Sequence, residues 1–116
     1  MLSIKLILTI LTVHWLADFA LQTDWQATNK WKTMGALLGH ALAYTLALVL
    51  AFGHSWLWLA WAVFNGAAHF GIDWLTSKQT HKCFERQDYH NGFVIVGADQ
   101  LVHTACLLGT ALLCNW

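Results

Sequence analysis

Apolar residues in this chain fall into four long runs, separated by polar breaks. The first covers about residues 2–22 and is interrupted chiefly by Lys5, His14 and Asp18; the second, residues 34–52, holds 19 residues and no formal charge. The third covers about residues 56–76 and contains Asn65, His69 and Asp73. The fourth, residues 93–115, contains Asp99, Gln100 and His103. An α-helix needs about 20 apolar residues to cross the hydrocarbon core of a bilayer. The chain has no proline, so four fairly straight helices are expected. Polar connectors lie at 23–33, with Asp24, Asn29, Lys30 and Lys32, and at 77–92, with Lys78, Lys82, Glu85, Arg86 and Asp88. Gly53, His54 and Ser55 make a tighter break.

A soluble four-helix bundle needs a polar outer stripe on every helix, and the second and third runs offer almost none. Composition agrees: 58% of residues are hydrophobic and 10% charged, against about 25% charged in an average soluble domain. Tryptophans gather at the ends of the runs, with Trp25, Trp31 and Trp74 on one side and Trp56, Trp58 and Trp116 on the other, as in interfacial belts. The expected fold is all-α: an integral membrane four-helix bundle in which the 116 residues form one domain. Both connectors fall on one side and carry Lys30, Lys32, Lys78, Lys82 and Arg86; only Lys5 stands opposite. The positive-inside rule places the connectors in the cytoplasm and both termini outside. Residues 4–13 could pass for the core of a signal peptide. No small-residue cleavage site follows promptly, however, and cleavage would discard His14 and Asp18, so the run is read as a retained first span.

The formal net charge is zero and basic residues do not cluster, which argues against a nucleic-acid partner. Cys83 sits in a polar connector, and Cys106 and Cys114 lie about 12 Å apart along one helix, too far to bridge. Free thiols are expected.

The polar residues inside the runs carry the chemistry. His14 precedes Asp18 by four residues, His69 precedes Asp73 by four, and Asp99 precedes His103 by four; His40 stands alone in the second run. A four-residue step places both side chains on one helix face. Counted from the connector side, all seven fall in a slab roughly 5–15 Å deep, although the helices alternate in direction. An aspartate at a helix centre costs about 2.5–3.5 kcal/mol, so three unpaired would cost roughly 8–10 kcal/mol. Within the spans only Lys5, at the far end, could neutralise them, whereas a divalent cation supplies the missing charge. Imidazole with carboxylate suits zinc, with iron and manganese as alternatives. The expected ligands are His14, Asp18, His40, His69, Asp73, Asp99 and His103, enough for one ion or for two with a bridging carboxylate. Asp18, Asp73 and Asp99 are also the candidate catalytic residues. A metal pair generates hydroxide at neutral pH and steadies an in-line displacement, which suggests hydrolysis of an ester or phosphoester at a lipid headgroup.

Three other readings use the same residues. A metal-ion carrier would need polar groups continuing to the opposite face, where the runs are almost purely apolar. A haem bundle would explain the histidines but not the acids. A small structural or partner-binding membrane subunit would use the polar layer to set helix register alone. Lys30 is weighed between an anionic-headgroup contact and a topology-setting surface lysine, with the surface role favoured. Tyr44, one turn after His40, could hydrogen-bond it or simply pack, and Gln22 and Gln100 are candidates for interhelical hydrogen bonds. His54, His81 and His90 are read as solvated, and Asp24 as a helix-end or loop acid. Gly35 and Gly39 form a small-residue pair suited to packing within the chain, in a homo-oligomer or against another membrane protein.

Taken in order, His14-Trp-Leu-Ala-Asp18-Phe with Gln22, Asn29 with Lys30, His40 with Tyr44, His69-Phe-Gly-Ile-Asp73 and Asp99-Gln100-Leu-Val-His103 resemble the domain-of-unknown-function family 3307. These are small inner-membrane proteins of bacteria and phages, and the resemblance covers nearly the whole chain. It implies a multi-pass inner-membrane location. The family is itself similar to predicted membrane-bound metal-dependent hydrolases, which implies that activity here. By the same likeness, Lys78 corresponds to a lysine that follows the motif of the third helix.

Overall fold

A computed structural model describes residues 1–115; Trp116, one of the expected belt tryptophans, lies outside the described residues. The Ser3 side chain caps α1 (Ile4–Trp15) by accepting from the Leu6 amide. The first apolar run is not one straight helix. Residues Leu16–Ala20 form a π-helical turn, closed by the Leu21 amide donating to the Leu16 carbonyl at 2.8 Å. Nor is the first connector all loop: Thr23 and Gln26 make a reciprocal capping box that starts the short α2 (Asp24–Asn29). Thr33 then caps α3 (Met34–Phe52), Ser55 caps α4 (Trp56–Glu85), and α5 (Tyr89–Cys114) completes the described chain.

The expected connector at 77–92 is corrected most. α4 runs on to Glu85 and α5 begins at Tyr89, leaving Arg86, Gln87 and Asp88 as the turn. Lys78, Gln79, Lys82 and Glu85 are good helix formers, and no glycine or proline interrupts them before the turn. Loss of apolar character here does not mark the end of a helix. The stop itself is local. Gln87 takes φ 59°, the Asp88 amide donates to the Cys83 carbonyl at 2.8 Å, and the Gln87 amide donates to Phe84 at 3.1 Å. Those paired bonds form a Schellman ending, with glutamine where glycine is usual.

α4 packs against both α3 and α5, α1 lies against α3 and α5, and α2 covers part of α3 in a bundle 46 Å long. The usual arrangement of a soluble bundle is inverted. Leu8, Leu42, Leu46, Leu50, Leu101 and Val102 face outward, while His14, Asp18, His40, His69, Asp73, Asp99 and His103 are buried. Ile10, Leu48, Phe52, Trp61, Leu107 and Ala111 make an apolar core on the far side of those polar groups from α2. Among the described residues two helices, α3 and α5, are long and apolar enough to cross a membrane. α4 is longer still, but Asn65, His69 and Asp73 on its buried face lower its hydropathy.

α3 and α4 meet closely at Gly66, where an added Cβ would overlap the Thr45 hydroxyl and stand 2.8 Å from the Thr45 Cβ. Thr45 is β-branched and its hydroxyl donates to the Ala41 carbonyl at 2.8 Å, so it cannot swing aside cheaply. Gly66→Ala should therefore cost about 1–3 kcal/mol in reversible unfolding. Gly71→Ala, where an added Cβ meets nothing within 4 Å, should leave stability unchanged or raised. Equal effects at the two sites would contradict this packing.

Candidate metal centre

Helix geometry supplies the pairs and tertiary packing brings them together. α4 carries His69 and Asp73 one turn apart, and α5 carries Asp99 and His103. α3 contributes His40, and α1 with its π-helical turn contributes His14 and Asp18. Asp18 sits in the middle of that wider turn and reaches across to α3. Its Oδ1 lies 3.0 Å from His40 Nε2, whereas its Oδ2 is 3.9 Å from His14 Nε2 on its own helix.

Two groups of ligand atoms result. In the first, Asp18, His40, His69 and Asp73 offer atoms all within 4.8 Å of one another, and all four residues are buried. His40 Nε2 and His69 Nε2 are 2.9 Å apart; each stands 3.4 Å from Asp73 Oδ2, and His69 Nε2 is 3.5 Å from Asp18 Oδ1. The second group joins Asp18 to Asp99 and His103. There His103 Nε2 lies 3.3 Å from Asp99 Oδ2 and 3.2 Å from the other Asp73 oxygen, Oδ1.

The first group has the dimensions of a coordination shell. Metal–ligand bonds of about 2.0–2.1 Å directed to a tetrahedron place neighbouring ligand atoms about 3.3–3.4 Å apart. Five of the six separations, 2.9–3.5 Å, straddle that value, and the sixth, between the two carboxylates, is within 4.8 Å. Hydrogen bonds do not account for the same geometry. His40 Nε2 faces Asp18, Asp73 and His69 together, yet one ring nitrogen carries only one proton or one lone pair. The opposite nitrogens, Nδ1 of His40 and of His69, are buried with no hydrogen-bond partner among the described residues, so no bond from that side holds either ring. With the histidines neutral, charge points the same way, since three carboxylates then face a single ammonium, that of Lys30, an excess of two negative charges. A divalent ion would balance it. The His/carboxylate donor set is one that zinc, iron and manganese share.

Six of the seven expected ligands thus enter the two groups, and His14 does not. Its Nδ1 is 2.8 Å from the Tyr44 hydroxyl and its Nε2 is 2.9 Å from Gln100 Oε1, so both ring nitrogens are taken. Gln100 in turn donates to Asp18 Oδ2 at 2.9 Å and to Asp99 Oδ2 at 3.0 Å. If Tyr44 donates to Nδ1, Nε2–H donates to Gln100, and a single run of donors fixes both carboxylates. Tyr44 bonds His14 and stacks on the His69 ring at 3.9 Å; its hydroxyl does not serve His40.

Lys30, read as a surface lysine, instead pairs with Asp73 Oδ2 at 3.2 Å, its side chain brought over the site from the end of α2. His81, read as solvated, stacks on Trp31 with ring centroids 3.5 Å apart. His54 and His90 are exposed, and Cys83, Cys106 and Cys114 are free thiols. Sequence reasoning missed Thr76, whose hydroxyl donates to Asp99 Oδ1 at 2.5 Å, and Ser77. The four-residue step after Asp73 could have pointed to Ser77; nothing periodic marks Thr76.

A cavity of about 610 Å³ opens beneath α2 and reaches Asp18, Asp73, Asp99 and Gln100. Opposite, the groups rest on Tyr44 and the packed apolar core. A family model described as "Protein of unknown function (DUF3307)" matches residues 6–115 of the chain. No curated protein and no solved structure matches it.

Proposed function

The chain belongs to the DUF3307 family, and from that membership together with its buried His/Asp groups we propose a membrane-embedded, metal-dependent hydrolase of a carboxylic or phosphoric ester. In this reading α1 with its π-helical turn, α3, α4 and α5 all cross the bacterial inner membrane. The α2 end, with Lys30, Lys32, Lys78, Lys82 and Arg86, faces the cytoplasm. The outward leucines and the inward polar layer support the embedding.

One observation carries the catalytic reading: the three carboxylates of the ligand groups, Asp18, Asp73 and Asp99, line a cavity, with packed apolar side chains behind them. A carrier needs a second exit, whereas an enzyme needs a closed floor and a mouth. A divalent ion at this floor would supply Lewis-acid polarisation of the ester and acidification of a water. Asp18, Asp73, His40 and His69 would hold it. Asp99 lines the cavity, and its Oδ2 is oriented by Gln100 and lies 3.3 Å from His103, so this pair is placed to take a proton from water and return it to the leaving oxygen.

Metal-loaded protein is expected to release product from a short-chain lipid ester, and Asp99→Asn to slow release by about 10²–10⁴-fold. Product formation and metal content are measured side by side. Equal rates in metal-stripped and loaded protein would sink the reading, and metal flux through protein-containing vesicles without any product would replace it with transport.

A further inference from the structure

The cavity contains a polar group that neither packing nor the ligand groups use. Ser77 lines it one turn beyond Asp73, is 8% exposed, and has an Oγ with no hydrogen-bond partner among the described residues. A serine within a helix usually bonds the carbonyl one turn back, as the Thr45 hydroxyl bonds Ala41 at 2.8 Å. His69, Asp73, Ser77 and His81 follow at four-residue steps, so one row of α4 leads from the ligand groups toward the mouth. Lys30 hangs over that row, 3.2 Å from Asp73, with its side chain 21% exposed and donors beyond the one Asp73 takes. Lys32 lines the same space, and Phe19, Trp31, Phe84 and Val96 make an apolar wall.

Resting on the hydrolase reading, we propose that the substrate is a phosphoric ester, its phosphoryl oxygens held by Lys30 and Ser77 and its hydrocarbon part by the apolar wall. An ammonium and a hydroxyl both donate, and phosphoryl oxygens accept strongly and carry charge. A carboxylic ester is neutral and gives Lys30 little to hold. The contacts serve a lipid phosphate and a soluble phosphoester alike.

Calorimetric titration of metal-loaded protein in lipid nanodiscs tests this with hexylphosphonate, methylphosphonate and hexanol. The carbon–phosphorus bond resists hydrolysis, so binding is read without turnover. Hexylphosphonate is expected to bind; Lys30→Gln should weaken it about tenfold or more and Ser77→Ala severalfold, at unchanged metal content, and Lys30→Arg should restore most of the affinity. If Lys30→Gln loses metal, Ser77→Ala decides, because Ser77 bonds none of the ligand residues. Hexylphosphonate binding at least about tenfold tighter than methylphosphonate supports a lipid phosphate, and equal binding supports a soluble phosphoester. Hexanol binding as well as hexylphosphonate, or binding unmoved by either variant, overturns the proposal. Lys30-dependent phosphonate binding in a protein that hydrolyses nothing would sink the catalytic reading and leave the phosphoryl subsite standing.

Discussion

Asp73→Ala is expected to abolish the divalent-ion binding proposed for the His/Asp groups, while His14→Ala keeps it. Asp73 uses both oxygens: Oδ2 faces His40, His69 and Lys30, and Oδ1 faces His103. Truncation removes one corner of the tetrahedral group and leaves the Lys30 ammonium without its carboxylate. Losing a partner that merely orients a ligand costs about 10–100-fold in metal affinity, so losing the ligand itself should cost about 100-fold or more. His14 bonds only Tyr44 and Gln100 and stands 3.9 Å from Asp18 Oδ2, outside hydrogen-bond distance, so its removal should cost about tenfold at most. Elemental analysis of detergent-purified protein, followed by competition with a graded chelator, gives both numbers. Full metal content in Asp73→Ala, or equal losses in the two variants, would contradict the assignment of ligands.

Chelation should lower the melting temperature sharply, and re-addition of the metal should restore it. Without the ion and with the histidines neutral, three buried carboxylates face one ammonium. An ion held at a thousand times its Kd stabilises the folded state by about 4 kcal/mol. For a chain of this size that corresponds to a shift on the order of 10 °C or more. Asp18→Asn should shrink the response from both sides, because it weakens the ion's hold and relieves repulsion in the metal-free form. Thermal unfolding of both proteins with and without chelator reads the difference. A wild type whose melting temperature ignores chelation would remove the cation from the account of what holds the bundle together.

The local pattern is legible in the amino-acid order alone. A four-residue step aligns two side chains on one helix face whatever the helix packs against, so His69 with Asp73 and Asp99 with His103 stand out as pairs. The common depth of the polar residues follows equally simply, from counting residues at a fixed rise. Apolar runs announce helices for the same reason. They do not announce helix ends, because the polar residues after Ser77 are as comfortable in a helix as the apolar ones before it. The turn at Gln87 has no glycine or asparagine to reveal it.

What cannot be read along the chain depends on how each helix is rotated about its axis and on how far a long side chain reaches. His14 and His40 are both histidines at matching depth, yet His40 aims into the first ligand group and His14 into Tyr44 and Gln100. The π-helical turn that presents Asp18 to α3 leaves no periodic mark in the sequence. Lys30 lies 43 residues from Asp73 on a flexible stem, and only the fold of α2 over the cavity puts charge on charge. Periodicity within a helix is a short-range property and survives in the sequence; convergence of four helices on one point is a sum of small rotations and translations, and it exists only once they pack.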